Sequence, residues 1–155
     1  MTHPSDLFWL TEYLLPCLYT FLACLGFTQM FNIHGVGKLI CATGGALGWL
    51  VYLLAGQTIF AAFLASAVIG TFSEIMARIR RCPVTCYLVV ALLPLVPGGG
   101  IYRAMQYCVN GQINDFLNTL LYTFGMASAL AVGAMMTASL FRAVYPYLHR
   151  KKAGH

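Results

Sequence analysis

The 155-residue chain is 60% hydrophobic and only 8% charged, with a mean hydropathy of +0.77, against about 25% charged residues in soluble globular domains. This balance excludes a soluble domain and points to an all-α integral membrane protein. The net charge of +5 is spread over single residues and short clusters between apolar runs, as topology signals are, which excludes a nucleic-acid binder.

In chain order, the N-terminus carries Asp6 and Glu12 where a secretory leader would be basic, and no small-x-small cleavage site follows. It is therefore expected to remain as the first of five membrane spans. The apolar runs place the spans at about 7–31, 36–55, 58–77, 84–109 and 113–141, making 1–155 a single transmembrane domain with a basic tail over 142–155. Trp9 suits an interface and Pro16 a kink. Asn32-Ile33-His34-Gly35, Gly56-Gln57 and Asn110-Gly111 are turn signals. Lys38 begins the second span, and Arg78-Ile79-Arg80-Arg81 closes the third.

Five spans put the termini on opposite sides. With the N-terminus outside, Lys38, Arg78, Arg80, Arg81, Arg142, Arg150, Lys151 and Lys152 all fall on the inner side, and Arg103 alone lies near the other. Because Lys and Arg favour cytoplasmic loops, the expected topology is N-out and C-in. A re-entrant fourth element would carry the basic tail outward, so that element is expected to cross.

Small residues recur at helical spacing where spans must approach closely in lipid: Gly44 and Gly48; Ala62, Ser66 and Gly70; Gly125, Ala129 and Gly133. These read as packing seams. Glu74 falls near the small face of the third span, as an ion pair with Arg78 at i,i+4 or as a proton carrier. Glu12, about one turn inside the first span, reads as interfacial, with proton coupling the alternative. Asn114 and Asn118 share a face of the fifth span with Gly125 and are candidates for lining a pathway.

The fourth span holds Pro94-Leu95-Val96-Pro97-Gly98-Gly99-Gly100-Ile101-Tyr102-Arg103. Proline lacks an amide donor and clashes with the preceding turn, and glycine has little helical preference, so the helix is expected to open here. Irregular backbone at membrane depth is tolerated only against protein, water or a ligand. Free amides at Gly99, Gly100 and Ile101 would offer the positive end of a half-helix to a carboxylate. Arg103 could reach the same group or snorkel to the interface. The competing reading is a proline kink that only bends the span.

Other chemistry finds no support. Gly35-Val36-Gly37-Lys38 lacks the remainder of a phosphate-binding loop. His3, His34, His149 and His155 are too dispersed for a metal site or a catalytic base, so no enzyme, metal or cofactor is expected. The six cysteines (Cys17, Cys24, Cys41, Cys82, Cys86 and Cys108) have no ligand spacing and read as small buried hydrophobes.

Gly26-Phe27 through Phe31-Asn32-Ile33, Phe63-Leu64-Ala65-Ser66 through Val68-Ile69-Gly70-Thr71, and above all Pro94 to Tyr102 resemble the threonine/serine exporter family. The similarity covers roughly residues 26–127 and is to the small membrane subunit, equivalent to the C-terminal half of single-chain members. The resemblance implies a multi-pass protein of the bacterial inner membrane that works with a larger subunit to export small carboxylate-bearing solutes. Those are threonine and serine for some members and dicarboxylates such as succinate for others. Arg103 lies outside the motif. A five-span bundle also suits one half of a two-part transporter, with a partner or a second copy as the other half. The reading from another class is a non-transporting scaffold whose seams dock a partner.

Overall fold

The computed structural model describes residues 10–152, with side chains described over 11–144. His3, Asp6, the expected span start at 7, Trp9 and His155 lie outside the described residues, as do the side chains of residues 145–152, His149 and most of the basic tail among them. Among the described residues the structure is helical, without strands.

Helix α1 (Leu15–Met30) is entered through a π-helical turn at Leu10–Leu14, immediately before Pro16. A widened turn accommodates the amide that proline lacks, so the distortion at Pro16 is a register shift at the helix entrance. Helices α2 (Gly37–Leu54) and α3 (Ile59–Arg80) follow. The α1–α2 turn places Asn32 and Gly35 at positive φ, and the α2–α3 turn does the same to Gly56 and Gln57. Thr58 then caps α3 by accepting from the Ala61 amide at 3.2 Å. Arg81 at φ 54° ends α3 in the left-handed conformation. Next come α4 (Val84–Leu92), a 3-10 turn at Leu93–Leu95, α5 (Gly98–Val109) and α6 (Ile113–Lys152). The last helix continues beyond Pro146, past the expected end of the span.

Four helical stretches are long and apolar enough to cross a membrane: Thr11–Met30, Gly37–Leu54, Ile59–Arg80 and Ile113–Val144. Val84–Leu95 and Gly98–Val109 form a further apolar pair, bent by 44° at a short break, with the geometry of a broken span or of a re-entrant loop. The chain is thus an all-helical membrane protein.

Helix α3 is the centre of the bundle, packed on α6, α2 and α4, with α1 flanking α2 and α5 flanking α6. The seams are built from glycines that admit a neighbour where a methyl group could not fit. A Cβ on Gly45 would overlap Cys24 Sγ, and one on Gly48 would overlap the Ile69 side chain. One on Gly70 would meet Thr137 Oγ1, and one on Gly133 would strike both Ser66 Oγ and the Phe63 carbonyl. Buried Ala62, Ala65, Ile69, Ala91, Leu95, Met126 and Leu130 fill the space between these contacts. Cys24 and Cys41 are buried there as small hydrophobes, whereas Cys82, Cys86 and Cys108 are exposed.

The turns sort the charges. Residues of the α1–α2 turn share one cavity wall with Arg80 and Cys82, and Arg78 reaches the Phe141 carbonyl at 3.5 Å. Lys38, Arg78, Arg80, Arg81 and Arg142 therefore gather at one end of the bundle. Arg103 lies toward the other, in a cavity shared with Gln57 of the α2–α3 turn.

The α3–α6 seam can be tested directly. Gly133→Val is expected to lower stability by about 1–3 kcal/mol through overpacking, read as a lower melting temperature in lipid nanodiscs. Gly26→Val, at a position with open space around its Cβ, is expected to stay within about 0.5 kcal/mol of the parent.

Candidate functional site

The two halves of the broken span belong to different neighbours. Helix α4 is held by α2 and α3, and α5 packs on α6. Between Leu95 and Gly98 the chain leaves helical geometry, with Val96 extended at ψ 125° and Pro97 at φ −78°, ψ 54°. A cavity of about 450 Å³ lies at the break, where the chain runs from α4 to α5.

Main-chain hydrogen bonding at the break is only partly as the sequence suggests. The amides of Gly100 and Ile101 both donate to the Pro97 carbonyl, at 3.2 and 3.4 Å. Pro97 acts here as the N-cap residue, whose carbonyl takes the first bonds of the new helix. The Gly98 amide donates to Val96 O at 2.8 Å. Of the three amides expected to be free, only that of Gly99 has no acceptor among the described residues, and Gly99 lines the cavity. Gly99 is exposed, so its amide is open to water or to an occupant carrying an acceptor.

The neighbouring glycines divide the work. A Cβ at Gly99 would meet nothing within 4 Å, whereas one at Gly100 would overlap Thr123 Oγ1 on α6. Gly100 is the close approach that holds α5 against α6. Gly99 faces open space, and its lack of a side chain keeps the cavity clear rather than permitting packing.

Of the motif residues, Pro94, Pro97, Gly99, Gly100 and Arg103 line the cavity. Gly98 is exposed but does not line it. Ile101 and Tyr102 are 53% and 71% exposed, which turns them away from the cavity. Asn114 and Asn118 are exposed on α6 and also lie outside the cavity. The α6 wall comes instead from Thr119, Tyr122, Thr123 and Met126, and the α2 wall from Trp49 and Tyr52. The stripe at 119, 123 and 126 has helical spacing, a signal present in the sequence.

Arg103 is the one charged residue in the lining, makes no ion pair among the described residues, and faces no lining carboxylate. The cavity is therefore electropositive and suits an anion. At its mouth, the Tyr52 and Tyr122 hydroxyls both donate to the Gln57 carbonyl, at 3.3 and 3.1 Å, tying α2 and α6 to the α2–α3 turn. Thr123 Oγ1 donates to Thr119 O at 2.6 Å. Glu12 borders a separate cavity of about 210 Å³ that shares Gln57. A cavity of about 480 Å³ at the other end lies between the α1–α2 turn and the start of α4; it is a surface hollow between loops, remote from the break.

Glu74 sits far from both, buried on α3 with its side chain 8% exposed. Its Oε2 accepts from Arg78 Nη2 at 3.1 Å. Arg78 also reaches the Phe141 carbonyl at 3.5 Å and lies 5.2 Å from the centre of the Phe141 ring. The pair thereby joins the last turns of α3 to α6 at Phe141.

The Threonine/Serine exporter family model, ThrE, matches residues 16–140, from α1 through the break to the middle of α6. The chain belongs to the threonine/serine exporter family. No solved structure matches the chain. Family membership makes this a membrane transport protein, and the matched segment takes in every residue that lines the cavity at the break.

Proposed function

We propose that this chain is the membrane subunit of a secondary exporter of small carboxylate-bearing solutes, threonine and serine first among them. It works with a larger subunit of the same family in the bacterial inner membrane. The observation that carries this reading is the electropositive cavity at the helix break, where the unpaired Gly99 amide and Arg103 border the same space. A carboxylate accepts from the amide and pairs with the guanidinium. Pro94, Pro97 and Gly98 shape the opening, Gly100 fixes α5 on α6, and Ile101 and Tyr102 face lipid or the partner. The partner supplies the second half of the pathway, with a second copy of this chain the alternative.

A dicarboxylate is the second reading, favoured by a specific feature. The cavity lining contains no acidic side chain to hold the ammonium of an amino acid, so a succinate-like solute would meet the same donors without that demand.

Orientation follows from charge. The end bearing Lys38, Arg78, Arg80, Arg81 and Arg142 faces the cytoplasm, and the break opens toward the outside. Under this assignment a membrane-impermeant thiol reagent added to intact cells labels exposed Cys108, and exposed Cys82 only after permeabilisation. The reverse pattern would invert the topology.

Function is tested by co-expressing both subunits in cells without their own exporters, feeding threonine dipeptides or succinate, and following intracellular solute. A Cβ at Gly99 meets nothing within 4 Å, so Gly99→Leu places its bulk at the cavity wall and is expected to abolish export with normal insertion. Arg103→Gln is expected to weaken export about tenfold or more. Export by Gly99→Leu at the parental rate would refute the transport site and favour the scaffold reading.

A further inference from the structure

We propose that Trp49 recognises a second oxygen on the transported solute and so sets the specificity of the site. This rests on the cavity at the break being the solute site. The hydroxyls around the cavity are already engaged. Tyr52 and Tyr122 donate to the Gln57 carbonyl and Thr123 donates to Thr119 O. Trp49, on α2, is different. It lines the cavity, yet its Nε1 is buried with no hydrogen-bond partner.

The indole N–H can only donate. Buried donors are almost always met, and a bundle in lipid has no bulk water to meet this one. Two residues that line one cavity on different helices thus carry unmet donors: Gly99 of α5, through its amide, and Trp49 of α2, through an indole N–H held just behind the wall. A solute with one carboxylate satisfies the first, beside Arg103. The second requires another acceptor on the same solute, a hydroxyl or a second carboxylate.

In this conformation Nε1 is sealed within the wall. The tryptophan χ2 torsion is broad and soft, and a turn of the ring brings the N–H to an oxygen in the cavity. The ring lies against Tyr52, with centroids 5.7 Å apart and planes at 52°. Because Tyr52 in turn holds the Gln57 carbonyl, occupancy at Trp49 is felt at the cavity mouth. Discrimination of this kind is steep, since a solute lacking the oxygen leaves the donor unmet.

The sequence supplies its own reporter. It has two tryptophans, Trp9 and Trp49, so in a Trp9→Phe background Trp49 is this chain's one indole, and its emission is taken as the difference from the Trp9→Phe, Trp49→Phe complex. The full-length chain with its larger subunit, in lipid nanodiscs, is titrated with two matched pairs: threonine against 2-aminobutyrate, and succinate against butyrate. Within at least one pair, the member with the additional oxygen is expected to shift Trp49 emission saturably and to bind roughly 5- to 100-fold more tightly. In the export assay, Trp49→Phe is expected to bring the two members of that pair to the same level. A preference that survives Trp49→Phe, or an equal loss for both members, would overturn the proposal, the latter marking the ring as packing only. Export with no emission change would overturn the role of Trp49 and leave the transport reading standing. A saturable shift without export would keep the role and reject transport. A flat titration without export would reject both.

Discussion

A backbone amide inside a membrane has no water to turn to, and the structure depends on how that demand is met between Leu93 and Ile101. Two prolines remove donors and carbonyl acceptors must be found across a 44° bend. The 3-10 turn and the Val96 carbonyl each take an amide, the Pro97 carbonyl takes two, and the Gly99 amide remains without an acceptor among the described residues. The break thus interrupts helical geometry at Val96 and Pro97. Its two halves are held by different helices, and the gap between them contains an unmet donor and an unpaired cation.

Such a gap persists only if the surrounding bundle is rigid. Helix α3 supplies that rigidity by lying against α2 and α6 at distances that only glycine permits, and against α4 as well. Glu74 and Arg78 add a charged clasp at the basic end, reaching from α3 to Phe141 of α6. At the opposite end the clasp is lighter: two tyrosine hydroxyls share the Gln57 carbonyl across the cavity mouth. Shared hydroxyl bonds are weaker than a charge-assisted pair, so the cavity end is the easier one to open. Motion of α5 is constrained chiefly at Gly100, where it touches Thr123.

Much of this was legible in the sequence because it depends on local pattern. Long apolar runs gave the helices, and the glycine spacing on α2, α3 and α6 marked the seams. The i,i+4 spacing of Glu74 and Arg78 anticipated their ion pair. The Pro-x-x-Pro-Gly-Gly-Gly stretch marked the break. What was not legible depends on who faces whom. Trp49 and Tyr52 become cavity walls only because α4 and α5 diverge beside α2. On α6 the choice between the Asn114–Asn118 face and the Thr119–Thr123 face is made by where α5 docks, and Gly100 settles it. The bonding of Gly100 and Ile101 to Pro97 O required the dihedral angles of Pro97, which a proline in sequence leaves undetermined in ψ.

If the space at Gly99 holds a carboxylate-bearing solute, a reactive group placed there must be shielded by that solute. Gly99→Cys places a small thiol where a Cβ meets nothing, in a background with the native cysteines exchanged for alanine or serine. Its rate of modification by a thiol reagent would be measured with and without threonine or succinate in membranes containing both subunits. One of these solutes is expected to slow the reaction saturably, while butane-1,4-diol, which lacks a carboxylate, leaves it unchanged. An accessible thiol at position 99 whose modification rate ignores both carboxylates would contradict a solute site at the break.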